Sequence, residues 1–228
     1  MNIGLITARG GSKGLPRKNV LELNGLPLIA WTIKAAIESR VIDKIYVSTE
    51  DAEIAQISKE YGAEIIERPI HLASDTASSI EVVSHAITWL DEQNISCKSI
   101  CLLQPTSPLR TAKHLNEAVN LFNSRSADFV ISVFEPAHTP IKSYIECEDS
   151  TIVGLFSNDA PYLRRQDLPR AFQPNGAIYV FLVDEFKRNN HFPRKNTFPY
   201  LMSEFDSTDI DTLEDLIVVG NKLKEFNK

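Results

Sequence analysis

The sequence predicts an α/β protein with three layers around a mainly parallel sheet, and three features indicate this class. Short apolar runs typical of strands alternate with stretches of helical periodicity as far as Phe134. These strand-like runs are continuously apolar, as expected for a sheet that helices cover on both faces. A length of 228 residues suits one domain, so we predict a single domain over residues 1–228 that carries a small inserted lobe.

The elements before Phe134 can be placed in chain order. Strands are predicted at residues 2–7, 44–49, 63–67, 99–104 and 128–133. Helices are predicted between them, at residues 27–39, 50–61, 78–93 and 111–124. Pro27 is expected in the first turn of its helix, because that position does not need a backbone N–H group.

The alternation of strands and helices stops after Phe134. Residues from about 135 to 175 contain five prolines and no long helical pattern, so we predict that they form the inserted lobe. The lobe contains one short candidate strand within residues 150–157. The alternation resumes with a strand at 176–183 and ends with a helix from about Thr212.

Composition excludes several classes of function. The net charge of −6 disfavours nucleic acid as a partner, since proteins that bind duplexes generally present a basic face. No apolar run is long enough to span a membrane, and we expect no signal peptide. Cys97, Cys101 and Cys147 form no CxxC pair, and we interpret them as reduced thiols of a cytoplasmic protein. The five histidines are scattered, which argues against a zinc site.

The first candidate site is the glycine-rich loop "ARGGSKGLPRKN" at residues 8–19, directly after the first strand. Its glycines allow backbone N–H groups to approach an anion closely, although its spacing matches neither a Walker A loop nor the dinucleotide-binding fingerprint. Arg9, Lys13 and Lys18 could neutralise a triphosphate, and such a concentration of cations is unusual in an acidic chain. We predict a phosphate-binding loop; the alternative is a solvated basic turn.

The second candidate is "LQPTSPLR" at residues 103–110, which follows a buried strand and precedes a helix. Gln104 offers hydrogen-bond donors and acceptors, and Arg110 could hold a phosphate or a carboxylate. Because both loops follow strands, we expect them on the same rim of the sheet. The alternative is a rigid loop in which Thr106 or Ser107 caps the following helix.

Two weaker candidates have plain structural alternatives. The hydroxyl groups of "SDTASS" at residues 74–79 precede a helix, where Ser78 or Ser79 together with Glu81 is typical of capping. The cluster "RRQDLPR" at residues 164–170 is either an anion clamp for an acidic substrate or a solvated or subunit-interface patch.

The last candidate is "FDSTDIDTLEDL" at residues 205–216. Asp209 and Asp211 are two positions apart, so in an extended segment both carboxylates point to the same side. Magnesium favours one or two carboxylates together with substrate phosphates. We predict a metal site here; the alternative is that Asp211 and Glu214 form a capping box for the last helix.

Together these motifs, with "VSTEDAEIA", "ERPIHLASDTASS" and "NGAIYV", resemble the acylneuraminate cytidylyltransferases in the family's order, over residues 3 to about 216. The resemblance implies a Rossmann-like nucleotide-diphospho-sugar transferase fold. It also implies a reaction in which CTP and a nine-carbon 2-keto sugar acid give a CMP-sugar and pyrophosphate, with magnesium, or else manganese, as the metal. Glu50 departs from the aspartate that relatives often carry. We expect no further C-terminal domain of the kind found in some members.

The resemblance also implies roles for individual residues. Nucleotide-binding roles fall on Arg9, Ser12, Lys13, Lys18, Asn19, Asp75, Ser79 and Thr106. Contacts with the sugar acid, or support for them, fall on Gln104, Arg110, Lys142, Arg165, Gln166, Tyr179 and Phe192. The metal ligands would be Asp209 and Asp211, and the catalytic roles fall on Asp211, Lys18 and Arg9.

The resemblance further implies a homodimer in which the inserted lobe pairs two subunits and residues around 140–170 complete the partner's sugar site. The identity of the sugar acid stays open, with sialic, legionaminic and pseudaminic acids as candidates. Pocket shape around residues 187–196 is expected to decide among them. Two other hypotheses remain: transfer to a different acceptor, such as an eight-carbon 3-deoxy sugar acid, and a nucleotide-binding module without catalytic activity.

Overall fold

The computed structural model describes residues 1–12 and 14–226. Its strands are β1 (Asn2–Thr7), β2 (Glu22–Leu23), β3 (Leu26–Pro27), β4 (Lys44–Thr49), β5 (Glu64–Glu67), β6 (Ser99–Leu103), β7 (Phe129–Phe134), β8 (Tyr144–Glu146), β9 (Ile152–Gly154), β10 (Gln173–Leu182) and β11 (Thr197–Leu201). Its α-helices are α1 (Leu28–Ser39), α2 (Ala52–Glu60), α3 (Ser79–Glu92), α4 (Ala112–Ser124), α5 (Val183–Asn189) and α6 (Leu213–Phe226).

A sheet of seven strands forms the centre of the molecule, in the order β11-β7-β10-β6-β1-β4-β5. Strand β10 is antiparallel to both of its neighbours, and every other pairing in this sheet is parallel. The predicted α/β class with a mainly parallel sheet is therefore confirmed. Because β1 and β6 are parallel neighbours, the loops that follow them leave the same edge of the sheet.

Helices cover both faces of the sheet, as the continuously apolar strands predict. On one face, side chains of α1, α2 and α4, such as Ile33, Ile54 and Leu115, are buried against the sheet. On the other face, Val83 of α3 and Phe186 of α5 occupy a second buried cluster. Helix α6 packs instead against the β2–β3 hairpin through a third cluster. None of the helices in the described part of the chain combines the length and apolar character needed to cross a lipid bilayer.

Three predictions about the elements need correction. Pro27 was expected in the first turn of α1. It lies instead in β3, where it is the residue opposite Glu22 in the β2–β3 hairpin, and α1 begins one residue later at Leu28. Strand β10 begins at Gln173 rather than at 176, since an irregular register between Pro174 and Tyr179 lets the strand continue past Gly176. Strand β11 and helix α5 were not predicted, because α5 has only seven residues and β11 only five, with a proline at its centre.

The region predicted to be the inserted lobe contains its own small sheet. Strands β8 and β9 pair antiparallel with each other and are separate from the central sheet. The candidate strand within residues 150–157 corresponds to β9. The boundaries of the lobe and its role in dimerisation stay predictions.

Candidate active site

The loops after β1 and β6 meet the segment before α6 around a cavity of about 380 Å³. The lining residues come from these three parts of the chain: Thr7, Arg9, Ser12, Gly14, Lys18, Asn19, Gln104, Pro105, Thr106, Asp209 and Asp211. The structure thus brings together the glycine-rich loop, the QPTS turn (residues 104–107) and the aspartate pair, three motifs that are far apart in the sequence. Lys13, also predicted here, lies outside the described residues.

The glycine-rich loop is held against the aspartate segment at its carboxyl end. Lys18 Nζ donates to the backbone oxygen of Ile210 at 2.7 Å and to Asp211 Oδ1 at 2.9 Å. A Cβ atom on Gly14 would lie 2.6 Å from the Asp211 backbone oxygen, so only glycine permits this approach. Asn19 Nδ2 donates to the Arg9 backbone oxygen at 3.0 Å and thereby closes the loop. The loop and the aspartate segment therefore form one unit.

Asp209 and Asp211 line the same cavity but differ in their surroundings. Burial raises the pKa of Asp209, and the negative charge of Asp211 raises this pKa further, whereas a hydrogen bond from Thr106 opposes the shift. Asp211 is largely exposed, with 75% of its side chain accessible. The Ile210 N–H between them donates to the Thr106 backbone oxygen at 3.0 Å, which ties the aspartate segment to the QPTS turn.

The capping alternative for Asp211 is wrong. The cap of α6 is formed one residue later, where Asp215 N–H donates to Thr212 Oγ1 at 3.2 Å and Thr212 N–H donates to Asp215 Oδ2 at 2.8 Å. The Asp211 carboxylate instead pairs with Lys18 and faces the cavity.

The donor set suits magnesium. Two carboxylates beside a cavity lined by Arg9 and Lys18 match a cation that uses one or two protein carboxylates and takes other ligands from phosphates and water. Among the described residues, no group of three or more histidine, cysteine, aspartate or glutamate side chains could hold a metal by itself. The predicted ligands Asp209 and Asp211 therefore fit a metal that is shared with a bound phosphate.

Gln104 lies at the cavity with its side chain packed on a glycine of β10. Gly176 has a φ of +75°, and a Cβ atom there would lie 2.5 Å from Gln104 Oε1. The glycine thus fixes the position of the glutamine side chain. Helix α4 begins after Thr111, whose N–H donates to His114 Nδ1 at 3.2 Å, so the expectation that Thr106 or Ser107 caps this helix is wrong.

Arg110 lies behind the QPTS turn and not at the cavity. Arg110 is only 2% exposed. Its Nη1 donates to the backbone oxygens of Gln104 at 3.1 Å and Ala177 at 3.0 Å. Burial lowers the pKa of Arg110 to about 10. The structure therefore places Arg110 as a support for the turn, rather than as a residue in direct reach of a sugar acid.

A second cavity of about 220 Å³ adjoins the first and shares Thr7 and Arg9 with it. Asp75 and Ser79 line it, as expected for part of a nucleotide pocket, and Arg9 Nη2 lies 2.8 Å from Asp75 Oδ1. Ser78 caps α3 in a box with Glu81, which leaves the Ser79 hydroxyl outside the cap. Sequence analysis missed Arg68, which also lines this cavity and whose pKa burial lowers to about 10. Its position directly after a predicted strand was the available signal.

Tyr179 and Phe192 lie on the sheet face that carries α3. Their rings stack with centroids 6.1 Å apart, and Phe192 also stacks on Phe129 at 5.7 Å. Burial raises the pKa of Tyr179, and the charge of Asp209 adds to this shift, so the tyrosine is within electrostatic range of the aspartate pair. Together with Phe129, these rings form an aromatic cluster on this face of the sheet.

Lys142, Arg165 and Gln166 are not brought to the first cavity within one chain. Lys142 ends a short 3₁₀ helix in the lobe region, and Gln166 is exposed. Arg165 Nη1 donates to the Ala137 backbone oxygen at 3.1 Å, and its guanidinium lies 3.9 Å from Glu135. Their contact with a sugar acid stays a prediction.

Asn175 is a second residue that sequence analysis did not assign. Its Oδ1 accepts hydrogen bonds from Ser132 Oγ at 2.6 Å and from the Ala177 N–H at 3.1 Å, while its Nδ2 donates to Ser207 Oγ at 2.9 Å. This buried amide connects β7 and β10 to the segment that leads into Asp209. It lies directly before Gly176, and that adjacency was the only signal in the sequence.

The fold is α/β, with cations and carboxylates at one edge of its sheet, and comparison with known proteins specifies the class. The profile of the family described as "Cytidylyltransferase" matches residues 3–226. The chain belongs to this family.

Several characterised relatives are similar over almost the whole chain. N-acylneuraminate cytidylyltransferase of Streptococcus agalactiae serotype V is 36% identical over 98% of this chain, and that of Escherichia coli O18:K1:H7 is 35% identical over 92%. The chain spans about half the length of these two relatives, 54% and 49% respectively. Pseudaminic acid cytidylyltransferase of Campylobacter jejuni is 32% identical over 94% of this chain and 93% of its own length.

Two solved structures have the same fold at low sequence identity. A CMP:2-keto-3-deoxy-manno-octonic acid synthetase in complex with CTP matches with a TM-score of 0.72 at 16% identity and covers 99% of both chains. A 4-diphosphocytidyl-2C-methyl-D-erythritol synthase from Anaerococcus prevotii matches with a TM-score of 0.65 at 14% identity and covers 98% of both chains. These likenesses bear on the fold alone.

Proposed function

We propose that the protein transfers CMP from CTP to the anomeric hydroxyl group of a nonulosonic acid and releases pyrophosphate. The observation that carries this proposal is the cavity in which the cations of the glycine-rich loop, Arg9 and Lys18, face Asp209 and Asp211. Cations suit a triphosphate, and a carboxylate pair suits the metal that accompanies it. The family and its named sugar-acid relatives support the choice of CTP and of a 2-keto sugar acid.

The side chains at the cavity have separate tasks in this reaction. Arg9 and Lys18 bind the triphosphate, and the backbone N–H groups of the loop assist them. Asp209 and Asp211 would hold magnesium, which neutralises charge on the phosphates when it is bound. The sugar hydroxyl oxygen forms a bond with the α-phosphorus while the bond to the pyrophosphate oxygen breaks, and Asp211 is proposed to accept the hydroxyl proton. Positioning the two substrates supplies much of the acceleration.

Release of pyrophosphate is the direct test. The purified protein should be mixed with CTP, magnesium and, separately, N-acetylneuraminic, legionaminic and pseudaminic acids and an eight-carbon 3-deoxy acid. Pyrophosphate is expected with at least one nine-carbon acid and not with CTP alone. A folded protein that releases none with any acid would refute the proposal, whereas CTP binding without release would favour a nucleotide-binding module.

Pseudaminic acid is the second candidate substrate, because the pseudaminic relative is matched over nearly its whole length. The loop at residues 187–196, which lines a cavity of about 650 Å³ beside Phe192, is where acyl groups would be distinguished. A substrate panel at constant CTP therefore decides which sugar acid is used, and exchange of this loop between two relatives would move the preference.

We propose a homodimer formed through the lobe region. Large apolar side chains are exposed there: Tyr144, Ile145, Ile152, Val153, Leu155, Phe156, Tyr162 and Leu163. An apolar patch of this kind marks an interface, and a second copy would also bring Arg165 and Gln166 to a sugar site. Light scattering should give twice the chain mass, and Phe156→Glu should give monomers with reduced activity. A fully active monomer would contradict the dimer.

A cytoplasmic location also stays a prediction.

A further inference from the structure

Three acidic residues at the start of α2, Glu50, Asp51 and Glu53, contact the glycine-rich loop. The Gly10 N–H donates to Glu50 Oε1 at 2.7 Å. At the other end of the loop, Arg17 forms ion pairs with both Asp51 and Glu53, and its Nη2 lies 3.1 Å from Asp51 Oδ1. The segment from Gly10 to Arg17 therefore begins and ends on the same acidic turn.

Arg17 contacts α2, whereas other cations of the loop line the cavity. Arg9 and Lys18 line it, whereas Arg17 does not, because its guanidinium group is directed at α2. The side chain of Asp51 is only 18% exposed and also caps α2 by accepting the Ile54 N–H at 2.9 Å. Asp51 is thereby fixed by the helix, so it offers Arg17 a rigid anchor.

The backbone around this contact has little freedom. Arg17 has a φ of +58°, a left-handed conformation that is unfavourable for residues with a side chain. A Cβ atom on Gly10 would lie 2.5 Å from Asp51 Oδ2 and 3.1 Å from Arg17 Nη1, so the ion pair packs directly on the loop backbone. The two ion pairs thus join Arg17 to α2 beside the backbone of Gly10.

We propose that Arg17, through Asp51 and Glu53, is a positioning residue that holds the glycine-rich loop in its CTP-binding shape. This inference rests on the proposed function, because it concerns the same loop. A preformed loop spares the ordering cost that a loose loop incurs when a ligand binds. The ion pairs should therefore act on CTP affinity and much less on the rate of the chemical step.

The direction in which Glu53→Gln changes the affinity for CTP distinguishes a positioning role of Arg17 from a simple effect of charge. If only charge mattered, removing the acid Glu53 would strengthen the binding of a triphosphate. If Arg17 positions the loop, Glu53→Gln weakens CTP binding, because it breaks one of the two anchors. Arg17→Gln weakens binding in both accounts, so Glu53→Gln is the decisive variant.

The experiment measures the KM for CTP, kcat and the Kd for CTP by calorimetry, on the full chain. Arg17→Gln and Glu53→Gln are each expected to raise KM and Kd by about two- to fivefold, the range for charged pairs of this exposure, with kcat within about twofold. Arg17→Lys should recover part of the affinity, since lysine keeps one ion pair. Glu64→Gln is the matched control, because it removes an exposed acid that is paired with Lys44 outside the loop. It should change neither the KM nor the Kd for CTP.

Hydrogen exchange of the Gly10 amide in the unliganded protein supplies a readout that does not depend on CTP. Exchange is expected to be faster in Arg17→Gln and Glu53→Gln than in the parent protein and in Glu64→Gln. Unchanged exchange, or a lower KM in Glu53→Gln, would overturn the inference. A parent protein that neither binds CTP nor releases pyrophosphate would refute the proposed function instead, and the exchange result would still decide whether Arg17 holds the loop.

Discussion

Lys18 Nζ lies 2.9 Å from Asp211 Oδ1, although 193 positions separate the two residues in the chain. This ion pair joins the predicted phosphate loop to the predicted metal site. Lys18 is mostly buried, with 13% of its side chain exposed, whereas Asp211 is open to the cavity. The contact places the charge that would bind a triphosphate directly beside the carboxylate that would bind its metal.

Asp211→Asn tests whether Asp211 acts in the reaction or only in the fold. We expect turnover to fall by about 100-fold or more, in line with the loss of one electrostatic group at a phosphoryl-transfer site. Since Thr212 and Asp215 form the cap of α6, the free energy of unfolding in denaturant should fall only by the small worth of the ion pair with Lys18, about 0.5 kcal/mol or less. Thr212→Ala is the contrasting variant and should lower that free energy by about 1 kcal/mol. Near-normal turnover of Asp211→Asn would remove Asp211 from the reaction.

Lys18→Met tests the triphosphate contact. Removing a charged hydrogen-bond donor from a phosphate site is expected to raise the KM for CTP by about 10- to 100-fold. Lys18→Arg keeps the charge and should retain more affinity than Lys18→Met. Steady-state kinetics at varied CTP concentration measure both variants, and a KM like that of the parent protein in Lys18→Met would show that the amine serves only to pair with Asp211.

Gly176→Ala tests the packing of Gln104. The added methyl group would lie 2.5 Å from Gln104 Oε1, so the glutamine must move and turnover should fall. Gly25→Ala is a matched control, because Gly25 also has a positive φ, of +84°, but has no atom within 4 Å of an added Cβ. Both variants should be destabilised by about 1 kcal/mol from backbone strain, and only Gly176→Ala should lose activity. Equal activity in the two would show that the position of Gln104 is unimportant.

The pH dependence of stability tests the pairing of Arg17 with Asp51. The hydrogen bond from Arg17, together with that from the Ile54 N–H, lowers the pKa of Asp51 below its usual value. A lowered pKa in the folded state means that this stabilisation is present above the ordinary aspartate pKa of about 3.9 and is lost as the pH falls through the folded-state pKa. Denaturant unfolding between pH 5 and the acid limit should therefore show a steeper loss of stability in the parent protein than in Arg17→Gln. Parallel curves would contradict the pairing.

The fold class and the main parts of the site could be predicted because they depend on local patterns. Continuous apolar runs define β1, β4 and β6, and the residues that follow β1 and β6 share one edge of a parallel sheet. The contacts that decide roles were not predictable, because they join distant segments. For Arg110 the resemblance implied either contact with the sugar acid or support, and its burial behind the QPTS turn assigns it to support. For Asp211 a capping role was open, and the cap that Thr212 forms excludes it.

Other features had only a weak local signal. Arg68 and Asn175 act through positions reached only after the sheet has formed, and neither belongs to a charged or glycine-rich cluster. Arg17 belongs to the same basic loop by sequence, but its ion pairs with Asp51 and Glu53 direct its side chain to α2. Tertiary pairing, rather than the composition of the loop, thus decides which cations remain available for a ligand.

The central claim is tested most directly by following an isotope from the sugar acid into the product. A nonulosonic acid labelled with ¹⁸O at its anomeric hydroxyl should be incubated with the protein, CTP and magnesium, and the products weighed by mass spectrometry. Attack of that hydroxyl on the α-phosphorus predicts a CMP-sugar that retains the ¹⁸O and pyrophosphate that contains none. Absence of a CMP-sugar, or a CMP-sugar that has lost the ¹⁸O, would contradict the account.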